Sequence, residues 1–131
     1  MICRELFQSA VRMVCERENS ADIFDYAERA EYLLATFCNQ FSVLDATIKS
    51  LLGETVNPYT TKIQLTLDTA FPLSSRFATP AIYYLSAMLV IDENEELSER
   101  FFALYSDAIS LLQSTVICKK ETISDNYKEL I

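Results

Sequence analysis

The chain has no histidine, no tryptophan, one glycine (Gly53) and three prolines in 131 residues. Each scarcity excludes something. Without histidine there is no ordinary general base at neutral pH and no imidazole metal ligand. A serine or cysteine nucleophile would need a lysine or carboxylate as its base. One glycine is too few for a phosphate-cradling loop or a G-x-S-x-G elbow. So few turn-formers also argue against a sandwich or barrel, which needs many hairpins. Basic residues are scarce too: 11 Lys and Arg against 19 Asp and Glu give a formal charge of −8. Such a surface repels a phosphate backbone, and Lys119-Lys120 is the only adjacent basic pair, so no nucleic-acid binding is expected.

Long apolar runs are also missing. The longest uncharged stretch, Phe77 to Ile91, falls short of the ~20 residues of a membrane span, so no membrane partner is expected. Arg4 and Glu5 come at once, which does not read as a secretory leader. Four cysteines, at positions 3, 15, 38 and 118, make no C-x-x-C pair. Cys38 and Cys118 lie in apolar stretches and are expected to pack as small hydrophobes. The expectation is a soluble protein of a reducing cytoplasm.

What is present is helical pattern. Half the residues are hydrophobic, enough for one domain with a real core. Ile23, Ala27, Ala30, Leu34, Phe37, Phe41, Leu44, Ile48 and Leu51 keep a strict 4-3 spacing, the period of packed helices. A helix over Ala21 to Leu52 follows, capped by Ser20 and stopped by Gly53, either straight or bent near Asn39 and Gln40. Leu33 and Cys38 widen its stripe, so it should touch more than one neighbour. A first helix is expected from Ile2 to Arg17, with Leu6, Ala10, Met13 and Val14 on one face.

Thr79-Pro80 should open a third helix that is apolar almost all round through Ile91. The acidic link Asp92 to Glu96 leads to a fourth. In that helix Leu97, Phe101, Leu104, Ala108, Leu111 and Thr115 repeat the 4-3 spacing, with Phe102, Tyr105, Ile109 and Leu112 as a second stripe. Residues 1–118 read as a single helical domain and 119–131 as a flexible C-terminal arm. The expected fold class is all-α: a four-helix bundle-like domain with one long central helix and a long extended, β-like loop between helices 2 and 3.

That loop, Glu54 to Leu73, is the large non-helical region. Lys62 to Asp68 alternates polar and apolar, the period of a strand. Its backbone partner could be a local strand from Glu54 to Tyr59 or a strand of another subunit. Alternatively the segment is an extended loop whose Ile63, Leu65 and Leu67 pack over helix ends. Tyr59, Ile63, Leu65, Leu67 and Phe71 are the candidate subunit or partner interface.

Chemistry has little to work with. Asp92, Asn94 and Glu96 alternate like the start of a calcium loop, but the sixth position is Leu97 and the twelfth Ala103, where such a loop needs Gly and Glu. Asp25, Glu28 and Glu31 read as solvated helix charge. Phe37, Phe41, Phe101, Phe102 and Tyr105 read as core. No catalytic residue, cofactor, metal or small-molecule substrate is expected, and the chain reads as non-enzymatic.

The order of features from Asp22 to Leu112 resembles that of small phage head–tail connector, or adaptor, proteins. The stretches that carry the resemblance are Phe71-Pro72-Leu73, then Pro80 to Leu89, then the acidic turn, then Glu99 to Tyr105. The resemblance covers about two thirds of the chain and includes no diagnostic motif. It implies a structural protein of a phage or prophage, made in the bacterial cytoplasm and built into the virion. It also implies a homo-oligomeric ring under the portal, with portal and tail proteins as partners and an acidic channel past which DNA slides. The alternative reading is a cytoplasmic helical interaction module, a chaperone or regulator, that works as a dimer.

Overall fold

A computed structural model of the protein describes residues 1–14, 23–56 and 63–129; for residue 23 and residues 119–129 it describes the backbone alone. The chain is mostly helical, with four α-helices and no strand among the described residues. They are α1 (Cys3–Met13), α2 (Ile23–Leu51), α3 (Ala78–Leu89) and α4 (Glu95–Glu129), with a 3-10 turn at Ser75–Phe77 leading into α3. The expected Ser20 cap, Tyr59 and Lys62 lie outside the described residues.

The 4-3 spacing of α2 marks the side that is covered. Ala30, Leu34, Phe37, Phe41 and Ile48 are buried, with Cys38 beside them. The helix runs unbroken past Asn39 and Gln40. It ends where glycine is needed: Gly53 adopts φ +74°, and Glu54 N–H turns back to the Lys49 carbonyl at 2.8 Å. This closes the last turn while avoiding the Cβ clash that another residue would meet there.

α3 packs against α1, α2 and α4, and its closest association is with α4. The acidic link forms the tight turn between them. Asn94 Oδ1 accepts from Leu97 N–H at 3.1 Å and caps α4. Ser98 Oγ, buried, donates to the Ala87 carbonyl at 2.8 Å. From α2, Tyr26 OH donates to the Glu93 carboxylate at 2.7 Å and Arg29 Nη2 donates to the Met88 carbonyl at 2.8 Å. The first helical turn of α3 contains Pro80, whose missing N–H has no intrahelical partner to lose there. Thr79 makes no cap; the helix is entered through the 3-10 turn instead.

Phe37 is the hub. Its ring is fully buried and meets rings from four other parts of the chain: Phe71 at 6.5 Å, Phe77 at 6.4 Å, Tyr84 at 5.8 Å and Tyr105 at 6.3 Å, with Phe41 of its own helix at 4.8 Å. The arrangement is edge-on or tilted, the geometry that aromatic quadrupoles favour.

One carboxylate is buried in this framework. Asp45 is fully covered. Ser74 N–H and Ser74 Oγ–H both donate to it, Lys49 Nζ lies 3.3 Å away and Arg76 Nη1 3.8 Å away. Arg76 also pairs with Glu54 at 2.8 Å. A buried charge is tolerable when paired and hydrogen-bonded in this way. The network fastens the end of α2 to the turn that begins α3.

Two expectations for cysteine divide. Cys3 and Cys38 are fully buried, and burial pushes the Cys38 thiol up to about 12. Cys118 is exposed, contrary to its expected place in the core, because it lies on the outward side of α4.

Three outcomes follow. Phe37→Ala should cost about 3–5 kcal/mol in a denaturant titration. Asp45→Ala should cost about 3 kcal/mol by the same measure, since Arg76, Lys49 and Ser74 N–H all lose a partner at once. Stability should fall as pH rises from 9 to about 12, because an unfolded thiol ionises near 9 while folded Cys38 stays neutral to about 12. Burial raises Tyr84 and Tyr105 as well, in the same sense. Thermal melts from pH 8 to 11 read that slope.

Candidate interaction surface

The extended segment does not form a strand among its described residues. Its outward and inward alternation is real: Leu67 is buried, Ile63 and Leu65 are half-buried against the core, while Gln64 and Thr66 are exposed. Its backbone is satisfied in other ways. Asn39 on α2 acts as a single rung of ladder: its Oδ1 accepts from Ile63 N–H at 2.8 Å and its Nδ2 donates to the Ile63 carbonyl at 3.0 Å. Glu31 Oε1 accepts from Leu67 N–H at 3.3 Å. Residues 66–69 then turn, with Thr69 N–H on the Thr66 carbonyl at 3.1 Å.

The segment continues along the N-terminus of its own chain. Arg4 N–H donates to the Leu67 carbonyl at 2.8 Å, Cys3 N–H to the Thr69 carbonyl at 2.9 Å, and Phe71 N–H to the Met1 carbonyl at 2.9 Å. An isolated antiparallel bridge joins Ile2 and Ala70. The Cys3 and Arg4 bonds satisfy two of the orphan N–H groups at the start of α1. The Arg4–Asp68 ion pair at 2.9 Å is exposed and adds little.

Of the five candidate interface residues, Tyr59 lies outside the described residues. Leu67 is turned into its own core at 5% exposure. Ile63 and Leu65 are half-buried on α2, and Phe71 is half-buried with its ring on Phe37. A groove of about 560 Å³ runs between α2 and this segment, lined by Glu31, Tyr32, Ala35, Thr36, Asn39, Ile63, Gln64 and Leu65. Its Glu31 and Asn39 already bond the segment's backbone, so they are not aimed at a ligand. Among the described residues no three His, Cys, Asp or Glu side chains are grouped to hold a metal ion.

Apolar side chains are also exposed on α4, on the stripe that keeps the 4-3 spacing. The covered side of α4 is Ser98, Phe101, Tyr105, Ile109, Leu112 and Val116, which is mainly the second apolar stripe. The 4-3 stripe turns away from the domain beyond Phe101. Leu104 is 42% exposed, Leu111 71% exposed and Thr115 exposed, with Ala108 half-buried between them. Both stripes are apolar, and only the position of α3 and α2 decides which is used.

The outer side of α2 exposes Phe24, Tyr32 and Val43, but these are eight and eleven residues apart and make no continuous ridge. By length and composition, residues Glu95–Cys118 also suffice to cross a membrane. Asp107 sits in the middle of that stretch, where a charge is costly in lipid.

No protein-family model, curated protein or solved structure matches the chain.

Asn39→Ala should leave the helices intact but release Ile63. The Ile63 amide is expected to lose its protection from hydrogen exchange, with a stability cost of about 1–3 kcal/mol. Unchanged protection in the variant would mean the Asn39 rung does not hold the segment.

Proposed function

We propose that this chain is a non-enzymatic structural subunit that works by associating with copies of itself. Its four helices make a bundle-like domain around α2, with a long connection between α2 and α3 whose described residues 63–65 lie along α2. The reading that the sequence resemblance supports is a head–tail connector of a phage or prophage, held in a ring under the portal and contacting portal and tail proteins. Its acidic surface suits a channel through which DNA passes without sticking. Assembly would begin in the bacterial cytoplasm and end in the virion.

The observation that carries self-association is the exposed stripe of α4. A regular row of apolar side chains turned away from its own core marks a site of protein contact. In the connector reading a neighbour would also meet the outer edge of Ile63, Leu65 and Phe71, while Leu67 serves its own domain. A second reading is a helical interaction module acting as a dimer. The 4-3 spacing on the outward side of a single helix favours it, because that period is what two paired helices use.

Light scattering over a concentration series, with negative-stain imaging of any large species, separates these. Closed rings of many subunits are the connector outcome. A species that stops at two copies is the module outcome. A monomer at every concentration, with no binding to a portal, would contradict self-association altogether.

A further inference from the structure

We propose that the groove between α2 and residues 63–67 docks an extended, cationic peptide segment of another protein, which adds to the backbone of Leu65. This site goes beyond self-association and does not depend on it.

The two chains that form the groove run in matched steps. Asn39 and Glu31, eight residues apart on α2, bond Ile63 and Leu67, four residues apart on the segment. Four helical residues rise about 6 Å and two extended residues about 7 Å, so the steps keep pace. Midway, Leu65 comes opposite Ala35, and both line the groove. In an extended chain the backbone groups of alternate residues point to the same side. The bonds of Ile63 and Leu67 run to α2, so the N–H and C=O of Leu65 point that way too. The methyl of Ala35 has nothing to offer them. Among the described residues no hydrogen bond reaches the backbone of Leu65 or of its neighbour Gln64.

An N–H and a C=O side by side call for a group that both accepts and donates. Asn39 is such a group for Ile63: its carboxamide takes the N–H and gives to the carbonyl. One residue of an extended peptide offers the same pair of atoms, which is how a strand adds to an open edge. The groove, about 560 Å³, has room for the side chains of a short peptide.

Charge defines the peptide. Tyr32 is 79% exposed on the groove wall, beside Glu31. Glu28 and Asp25, both exposed, lie about one and two turns before Tyr32 on the same side of α2. No Lys or Arg is among the described residues that line the groove. A Lys or Arg of the peptide would lie over the Tyr32 ring and against these carboxylates. Lys119-Lys120, the chain's own adjacent basic pair, is held in the helical backbone of α4, so it does not supply an extended cationic segment. The occupant is therefore a segment of a different protein.

The test uses the full chain, amide NMR and the capped pentapeptide Thr-Val-Lys-Val-Thr, whose Thr and Val favour extended backbone. The Leu65 amide should exchange freely in the protein alone. With the peptide at millimolar concentration the Gln64 and Leu65 amides should shift, and Leu65 should gain roughly tenfold protection. The same peptide with Glu at its centre should bind at least roughly tenfold more weakly. Glu28→Gln should weaken the Lys peptide several-fold with unchanged circular dichroism, because Glu28 is exposed. Ala35→Asn places opposite Leu65 the side chain that already holds Ile63. It should protect the Leu65 amide without peptide and abolish peptide binding.

A Leu65 amide already protected in the free wild type would overturn the proposal, as would Leu65 and Gln64 amides that ignore the Lys peptide. Equal binding of the Glu peptide would overturn the cationic partner. Leu65 shifts that grow with protein concentration alone would overturn the assignment to another protein, since a second copy would then fill the groove.

Discussion

The ring of Phe37 is the contact on which the rest of the fold depends. It stands at the middle of α2 and touches aromatic side chains from the extended segment, the 3-10 turn, α3 and α4. Edge-on aromatic contacts add directional preference to burial, so this cluster fixes orientation as well as distance. The polar fasteners lie around it. Asp45 with Ser74 and Arg76 holds one end of α2 to the start of α3. Tyr26 and Arg29 hold the other end of α2 to the turn after α3. With both ends of α2 tied to both ends of α3, the long helix acts as a rigid brace.

That brace determines what α4 can offer. α3 is 12 residues long and α4 is 35, so α4 runs well past the helix it packs against most closely. Only one side of α4 is covered. A helix with two adjacent apolar stripes whose neighbours, α3 and α2, cover one side leaves the second stripe in water, at a free-energy cost that a partner would remove. The outward stripe of Leu104 and Leu111 is thus a consequence of the same geometry that closes the core. The acidic charge of the chain acts in the other direction, by making close approach of copies sensitive to salt.

Much of the helical layout was legible in the sequence because helices announce themselves by period and punctuation. The seam from Ala30 to Ile48 named the buried side of α2, and Gly53 named its end, where a positive φ is required. The acidic link and the start of α3 near Thr79-Pro80 were legible for the same reason. What could not be read was which of two equally apolar stripes on α4 faces inward, since that depends on where α3 and α2 lie. Cys118 was assigned to the core because it lies in an apolar stretch, which does not say which side of the helix faces inward. Alternation at residues 63–67 foretold the side-chain pattern correctly. It did not foretell the backbone partners, which are an asparagine, a glutamate and the N-terminus and leave no periodic trace. Buried Asp45 was missed; a lone Asp between Phe41 and Ile48, four residues before Lys49, was the available signal.

The measurement that bears most directly on self-association through α4 is an isotope-filtered NOE experiment on a mixture of labelled and unlabelled chains. It detects only contacts between copies. Cross-peaks from the Leu104 and Leu111 methyls of one copy to protons of another are the result the account predicts. Leu111 methyls that contact only protons of their own chain at concentrations where the protein is associated would contradict it, and would place the interface elsewhere on the molecule.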